Sequence, residues 1–399
     1  MANIELSYVL ITPYSLMKSR TGGIIARLLS RTDLELVGAQ VLTFDNKRAQ
    51  EYANLLKKTV EKHNSEDAKL LVNYVLQNFS EREDGKRHRV MMLLFRGENA
   101  CKKLFSIVGP IGSSRIGHYQ NGAITGETIR DTYSDLVHDG KKVRYFEPAV
   151  LTPPTVEDAD EKMRFFAEFA SSSTNIVGNT VTCSDGTERT LVIIKPDNWR
   201  HPSTKPGNVI DMLSFTGLRM VAAKIHKMPV ADALEFYGPV KEALREKLAP
   251  SIGKKAYTLL EKEFGVKLPE LAEAKLTETI GVSFADKQFS SIIEFMSGRC
   301  PEDCPENELD SPGLVKCMVL IYEGIDAIAK IRKVLGPTDP TKAPGGTVRR
   351  DFGHDVMVNT AHASDTPESV LREMGIIKIG ENELTLRITE YLENDKVKI

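Results

Sequence analysis

The stretch YVLITPYSL, from Tyr8 to Leu16, recurs as LVIIKPDNW from Leu191 to Trp199. In both copies this apolar run is followed by apolar residues at three- and four-residue steps and then at alternate positions, a pattern that predicts a helix and then a strand. These helix and strand patterns begin at Ile24 and at Val209. Internal similarity of this kind indicates a duplicated structural unit.

Two further pairs of segments extend the repeat. MMLLFRGENACKKLFSIVGP from Met91 matches CMVLIYEGIDAIAKIRKVLGP from Cys317, and GETIRDTYSDLV from Gly126 matches GGTVRRDFGHDV from Gly345. Each copy reads strand, helix, strand, strand or loop, helix, strand, helix, which is the order of a split βαβ unit. We therefore predict an α+β fold of two tandem ferredoxin-like domains, each an antiparallel sheet with helices packed on it.

A polar, turn-rich stretch, SSSTNIVGNTVTCSDGTE, separates the two copies. It predicts a first domain over residues 1–170, a linker over 171–188 and a second domain over 189–399. The second domain carries extra residues at about 242–284 and 299–312, and such insertions normally extend surface loops. The sequence leaves open whether they cover a site or build an interface.

The composition is that of a large folded protein. The chain has 399 residues, 41% of them hydrophobic, and a formal net charge of −2. This balance gives no indication of a nucleic-acid or anionic-membrane partner, and no apolar run is long enough for a bilayer span. Five cysteines, an odd number in a long chain, favour free thiols in a reducing compartment, so we predict a cytoplasmic protein. Cys300 and Cys304 lack the second Cys/His pair that a zinc site would need.

Neither a Walker loop nor a GxGxxG fingerprint after a strand occurs, so nucleotide chemistry would need another design. The second copy offers a suitable set of side chains: Lys195, Arg332, Thr338, Arg349, Asn359 and His362. A polyphosphate needs fixed cations with hydroxyl and amide donors around it. A neutral imidazole is nucleophilic near pH 7, so His362 can accept a phosphoryl group and pass it on. Taken singly, each of these residues is more often structural or solvated.

Three separated strings of the second copy resemble the nucleoside diphosphate kinase family. They are VIIKPDN from Val192, GPTDPTKAPGGTVRRDF from Gly336 and NTAHASDTPES from Asn359, against the family patterns IKPDG, GxTxPxxAxPGTIRxDF and NxxHGSDSxES. The motifs occur in the family's order, and the resemblance covers most of residues 189–376 outside the insertions. The first copy resembles the same family faintly, through YVLITPYSL, GGIIARLL, FRGENA and ETIRDTY.

The resemblance implies five catalytic residues. His362 corresponds to the histidine that is transiently phosphorylated, and Glu373 to the carboxylate that holds the other nitrogen of that imidazole. Lys195 and Tyr237 correspond to groups near the phosphates, and Ser364 follows the histidine as it does in the family.

The resemblance also implies the nucleotide-binding residues. The positions that hold the phosphates and the ribose are Lys195, Arg332, Thr338, Arg349 and Asn359, and Val356 matches a position that packs on the base. Mg²⁺ would be carried by the nucleotide phosphates, because the motifs contain no carboxylate cluster that would form a protein cage for it. The partners implied are ATP and other nucleoside tri- and diphosphates.

The sequence departs from the family pattern at several places. The family aromatic that stacks on the base aligns with Gln288, beside Phe289, and Ala363 replaces a glycine after the histidine. In the first copy Thr12 stands in place of the lysine, and Leu151 falls near the position of the histidine. This copy therefore resembles a degenerate packing partner, in which Arg130 persists for structural reasons. The resemblance leaves open whether a homo-oligomer is built on this internal pseudo-dimer.

These observations predict a nucleoside diphosphate kinase that works by a ping-pong mechanism through phosphohistidine at His362. A nucleotide-binding regulatory or scaffolding module with little or no turnover is an alternative, motivated by the altered base platform and the degenerate copy. A histidine phosphocarrier that acts on other proteins would use the same chemistry. The movement of label from ATP to the protein and then to a diphosphate or a partner protein distinguishes the three.

Overall fold

The computed structural model describes residues 4–61, 65–111, 126–139, 142–181, 186–381 and 383–396. Within these ranges lie two four-stranded sheets and a two-stranded hairpin. The strands are β1 (Ile4–Ile11), β2 (Glu35–Thr43), β3 (Arg89–Glu98), β4 (Asp135–Asp139), β5 (Lys142–Glu147), β6 (Val150–Leu151), β7 (Glu188–Ile194), β8 (Arg219–His226), β9 (Cys317–Gly324) and β10 (Ala361–Ala363).

The two large sheets have the same strand order. It is β2-β3-β1-β6 in the first sheet and β8-β9-β7-β10 in the second, so β7 takes the place of β1 and β10 takes the place of β6. β1 runs antiparallel to β3 and β6, as β7 does to β9 and β10. The predicted α+β fold of two ferredoxin-like sheets is confirmed, and the repeat in the sequence corresponds to a repeat in topology.

Helices connect the strands in both copies. Those of the first copy are α1 (Pro13–Met17), α2 (Thr21–Ser30), α3 (Asn46–Glu61), α4 (Ser65–Asn78), α5 (Ala100–Val108), α6 (Ile129–Tyr133) and α7 (Val156–Ser171). Those of the second are α8 (Lys205–Ser214), α9 (Val230–Phe264), α10 (Glu270–Leu276), α11 (Val282–Ser297), α12 (Ala327–Leu335), α13 (Val348–Phe352), α14 (Pro367–Ile377) and α15 (Glu383–Lys396).

The repeat pattern made no prediction for the segment between β2 and β3, which forms α3 and α4. Helix α3 buries Ala49, Tyr52, Ala53 and Leu56, which lie three and four residues apart and so share one face of a helix. They join the core of the first copy, in which the rings of Tyr52 and Phe79 stack 6.3 Å apart. The apolar residues of α3 follow a helical period in the sequence, with charged residues between them on the opposite face.

The predicted insertion at 242–284 is largely helical. Its first part belongs to one continuous helix, α9, despite Pro239 and Pro250 inside it. Helix α9 packs closely on the segment before α11: a β-carbon on Gly281 would lie 2.9 Å from the carbonyl carbon of Ala249. Proline normally ends or kinks a helix, so the two prolines in the sequence do not indicate the continuous helix that the structure shows.

The predicted linker is anchored along the part that the structure describes. The side-chain amide of Asn175 donates to the carbonyl of Ile379 at 2.8 Å, and the N–H of Val177 donates to the carbonyl of Val221 at 2.9 Å. Thr180 forms an isolated bridge with Arg87. Residues 182–185 of the predicted linker lie outside the described residues.

The described residues divide into two compact units whose limits differ from the predicted domains. The first unit comprises the described parts of residues 1–225, 318–370 and 378–399 and so contains most of both sheets. The second unit comprises 226–317 and 371–377, with helices α9, α10 and α11. None of the helices described is both long and apolar enough to cross a bilayer.

Within the first unit, α2 and α8 join the two copies at a close crossing. A β-carbon on Gly22 would lie 2.6 Å from the carbonyl oxygen of Gly207, and one on Gly207 would lie 2.6 Å from the Cα of Ala26. No real β-carbon approaches other atoms this closely. The two glycines therefore allow the helix backbones to touch.

Candidate functional site

The short strand β10 carries the predicted nucleophile. His362 stands opposite Ile193, and Ala361 stands opposite Ile194, the last residue of β7. Lys195 follows directly, and its backbone N–H donates to the carbonyl of Thr360 at 2.9 Å. The pairing therefore brings the residues around His362 alongside Lys195, which is distant in sequence.

Lys195 is buried and hydrogen-bonded. Its side chain is 9% exposed, and its Nζ donates to Oδ1 of Asn359 at 2.7 Å and to the carbonyl of Met357 at 3.2 Å. Burial, with a smaller contribution from the positive charge of Arg349, lowers the pKa of Lys195 to about 8. The amide of Asn359 in turn donates to the carbonyls of Thr338 and Val356 at 3.1 and 2.8 Å. Four of the predicted site residues are thus linked by one network.

Arg349 lies on α13 and supports β10, the strand of the predicted nucleophile. Its Nη1 donates to the carbonyl of Gly336 at 2.8 Å, and its Nη2 donates to the carbonyl of Ala361 at 3.0 Å. Its Nε is buried and has no hydrogen-bond partner among the described residues. Burial and the neighbouring charge of Arg332 lower the pKa of Arg349 to about 10, so the guanidinium is charged at neutral pH.

A cleft of about 540 Å³ opens beside this network. Its polar lining consists of Arg332, Lys333, Thr338, Thr347 and Arg349, with Ala363 of β10 among the apolar residues. Three cations and two hydroxyl groups form the kind of lining that a phosphate chain needs.

His362 and Arg332 both act electrostatically on the carboxyl group of Asp365. The carboxyl group of Asp365 has a lowered pKa, mainly because the hydroxyl of Ser369 donates to it and in part because of the charges of Arg332 and His362. The predicted nucleophile and a cation of the cleft therefore lie close enough to act on the same carboxylate.

Ser364 and Val356 occupy contrasting places. Ser364 is fully buried, and its N–H donates to the carbonyl of Leu191 at 3.2 Å, which extends the pairing of β10 with β7. Val356 is 62% exposed. An apolar side chain this exposed beside a polar cleft is compatible with the predicted contact to a base.

Tyr237 and Glu373 belong to the second compact unit. Both are buried, and burial raises the pKa of Tyr237, with smaller contributions from Cys317 and from the carboxylate of Glu373. These two predicted residues are therefore neighbours within that unit. Their relation to His362 remains a prediction.

The position predicted for the base platform lies on α11, in the same unit. Phe289 is buried, and the ammonium of Lys241 lies 5.6 Å from the centre of its ring. Gln288 is half-buried. The buried aromatic ring already has a contact within its own unit.

The first copy repeats the geometry of the site without the side chains that are predicted to be reactive. Leu151 of β6 stands opposite Leu10, the place that His362 has opposite Ile193 in the second copy. At the position of Lys195, the hydroxyl of Thr12 donates to Oε1 of Glu147 at 2.7 Å. The hydroxyl of Tyr74 donates to the other oxygen of Glu147 at 2.5 Å. A buried carboxylate therefore occupies the region where the second copy has a cation.

Arg130 keeps the contacts of Arg349. It is 2% exposed and donates to the carbonyls of Gly109 and, at 2.9 Å, of Val150. These bonds correspond to those of Arg349 with Gly336 and Ala361. The arginine thus has a structural function that both copies retain.

The sequence patterns did not single out Asn198 or Thr360. Asn198 is buried, and its side-chain amide donates to the carbonyls of Lys195 and Thr360 at 3.1 and 2.9 Å. Thr360 has a φ of 73°, a value rarely adopted by a branched residue. The one signal in the sequence was that Asn198 stands where the family pattern IKPDG has glycine.

Comparisons with known proteins point to one family. The family model for nucleoside diphosphate kinase matches residues 309–381. The nucleoside diphosphate kinase of Hydrogenovibrio crunogenus is 47% identical over 187 residues, which are 47% of this chain and 89% of that protein. That of Staphylothermus marinus is 30% identical over 191 residues, 48% of this chain and 92% of that protein. An NDP kinase structure from Pyrobaculum aerophilum is 25% identical, covers 48% of this chain and 94% of that chain, and has a TM-score of 0.32.

Proposed function

Because the chain belongs to the nucleoside diphosphate kinase family, we propose that its second copy transfers the terminal phosphoryl group of ATP, or another nucleoside triphosphate, to a nucleoside diphosphate. The transfer proceeds in two steps through phosphohistidine at His362. The observation that carries this proposal is the buried pair of Lys195 and Asn359 beside a cationic cleft, next to the strand of His362.

In the first step the unprotonated nitrogen of His362 attacks the terminal phosphorus. A P–N bond forms while the bond to the bridging oxygen breaks, and the electron pair of that bond leaves on the nucleoside diphosphate. In the second step a terminal oxygen of another diphosphate attacks the same phosphorus, and the P–N electron pair returns to the imidazole. Glu373 would hold the other nitrogen, while Tyr237 and Ser364 would support the transferring group.

The cations of the site provide what phosphoryl transfer mainly needs, which is positioning and charge stabilisation. Lys195, Arg332 and Arg349 would bind the phosphate chain, and Thr338 and Asn359 would add hydrogen bonds to the phosphates and ribose. Val356 would pack on the base.

The lining of the cleft fits a nucleotide that brings its own Mg²⁺. Its described charged residues are all cations, with no carboxylate among them, so they complement phosphate oxygens and not a bare metal ion. When bound with the nucleotide, Mg²⁺ would be held by the phosphates and would supply positive charge to balance that of the leaving diphosphate.

We propose that the first copy is a packing partner that does not transfer phosphate. Leu151 has no nucleophilic atom, and Glu147 places a carboxyl group beside Thr12 where Lys195 stands in the second copy. Burial raises the pKa of Glu147, but in either protonation state this group cannot replace an ammonium in binding phosphate.

The proposed transfer is tested with ATP labelled on its terminal phosphate. We expect acid-labile, alkali-stable label to appear on the full chain in the presence of Mg²⁺ and to move into GTP when unlabelled GDP is added. His362→Ala should abolish both signals because it removes the attacking nitrogen.

His201→Ala is the matched control, because His201 is an exposed histidine outside the site; it should retain both signals. Transfer between nucleotides by the His362→Ala chain would contradict the proposal. Binding of ATP without label on the wild-type chain would favour a regulatory module, and label that reaches a partner protein but not GDP would favour a phosphocarrier.

A further inference from the structure

Thr360 forms the joint between two parts of the site. The residue before it, Asn359, accepts the hydrogen bond of Lys195, and the residue after it, Ala361, accepts that of Arg349. His362 follows one position later on β10. The direction of the peptide at Thr360 therefore decides how the imidazole lies relative to the ammonium of Lys195.

The backbone at this joint is in an unfavourable conformation. Thr360 has a φ of 73° and is fully buried, and its hydroxyl has no hydrogen-bond partner among the described residues. Left-handed backbone is disfavoured for a β-branched residue and persists only where its surroundings hold it. Here the surroundings are two hydrogen bonds to the carbonyl of Thr360, from the N–H of Lys195 and from the side chain of Asn198.

Asn198 binds both sides of the joint. Its amide group lies 3.1 Å from the carbonyl of Lys195 and 2.9 Å from that of Thr360, and it donates to each. It belongs to the turn Pro196–Asn198, which begins directly after Lys195. One buried side chain thus connects the segment that carries the ammonium with the segment that carries the nucleophile.

The first copy contains the same joint with a different donor. Ala149 has a φ of 61°, and its carbonyl accepts hydrogen bonds from the N–H of Thr12 and from the hydroxyl of Ser15, both at 3.1 Å. Ser15 is three residues after Thr12, as Asn198 is three residues after Lys195. Both copies therefore use a polar side chain at this position to hold the left-handed residue, but only the second copy has a nucleophile to orient.

We infer that Asn198 is a positioning residue for phosphoryl transfer, which holds the Thr360 carbonyl and thereby sets the placement of His362 relative to Lys195. The inference rests on the proposed function. It assigns to Asn198 no contact with the substrate, so its removal acts on the rate of transfer more than on nucleotide binding.

The test compares Asn198→Ala, Asn198→Ser and Ser15→Ala in the full chain. Because small displacements of reacting groups cost up to about 100-fold in rate, we expect Asn198→Ala to lower kcat by about 10- to 100-fold with a smaller change in KM. Asn198→Ser supplies a hydroxyl donor like that of Ser15 and should restore much of the rate. Ser15→Ala loses the corresponding bond in the copy without a nucleophile, so it should lower the unfolding temperature while kcat stays within about twofold.

Hydrogen exchange of the peptide that spans residues 357–364 provides a readout that does not depend on turnover. We expect faster exchange there in Asn198→Ala than in the wild type. Unchanged kcat and unchanged exchange in Asn198→Ala would overturn the inference, as would an equal loss of kcat in Ser15→Ala. The proposed function would be overturned if the wild-type chain transferred no phosphate. If Asn198→Ala nevertheless showed faster exchange than that chain, the structural part of the inference would be supported.

Discussion

Among single residues of the site, Lys195 has a charge that is sensitive to pH near neutrality. Its pKa is lowered to about 8, so the ammonium is present below this pH and is lost as the pH rises through it. Since kcat/KM reports the ionisation of the free enzyme, we expect kcat/KM for the nucleotide to fall between pH 7 and pH 9. Steady-state rates over this range measure the effect.

Lys195→Arg provides the control for this pH dependence. A guanidinium keeps its charge throughout the range, so the variant should have a lower rate because of its different geometry but no fall between pH 7 and pH 9. A wild-type kcat/KM that is flat to pH 9 would show that the titration of Lys195 does not govern binding.

Arg349 and Arg130 form a natural pair for separating catalysis from stability. Both donate to two backbone carbonyls, but only Arg349 lines the cleft. We expect Arg349→Lys to lower kcat/KM on the order of 100-fold. The variant loses the guanidinium, whose two nitrogens donate to the carbonyls of Gly336 and Ala361. Arg130→Lys should lower the free energy of unfolding by about 1–3 kcal/mol and leave kcat/KM near that of the wild type. Equal kinetic losses in the two variants would contradict these separate functions.

Sequence reasoning reached some of these residues and missed others for a physical reason. The repeat was enough to place Leu151 near the position of His362, because both follow matching motifs. It could not reveal Glu147, which meets Thr12 only after the chain folds back over 135 positions. Asn198 was equally hidden, since its partner Thr360 is far away in sequence and its neighbours already formed a recognisable motif.

At the scale of elements, the crossing of α2 and α8 depends on two glycines. Gly207→Ala would place a β-carbon against the backbone of α2, and overpacking of this kind costs about 1–3 kcal/mol. We therefore expect a lower free energy of unfolding, measured with denaturant.

Gly238→Ala is the matched control, because Gly238 also lies within a helix but has open space at its Cα. It should raise the stability by about 1 kcal/mol, as helix propensity predicts. If Gly207→Ala were neutral, the two helices would have to be further apart than described.

The elements themselves were predicted where periodicity was strong. The buried strands β1 and β7 and the amphipathic helices after them follow from their apolar spacing. Helix α9 could not be predicted as one element, because Pro239 and Pro250 normally signal breaks in a helix.

At the scale of the whole molecule, helix α15, which follows the second copy's sheet in sequence, packs into the core of the first copy. Leu384 and Ile388 of α15 are buried in the core cluster of the first copy, and Thr385 donates to the carbonyl of Ala167 at 3.1 Å. Ile388→Ala should therefore lower the free energy of unfolding by about 2–5 kcal/mol. The loss should appear in the unfolding of the first copy, followed by the exchange of amides in α7.

Leu386→Ala on the same helix serves as the control, because Leu386 is 58% exposed and its loss should change stability by less than about 0.5 kcal/mol. Similar effects of the two substitutions would show that α15 does not pack through the face described.

The crossing at Gly22 and Gly207 also bears on how the pair of copies behaves in dilute solution. Two separate chains held together by such a contact would dissociate once their concentration fell below the dissociation constant of the complex. Here both helices belong to one polypeptide, so the contact forms at an effective concentration set by the connecting segment and not by the amount of protein. The first copy therefore stays with the second copy at any dilution, because one gene product supplies both.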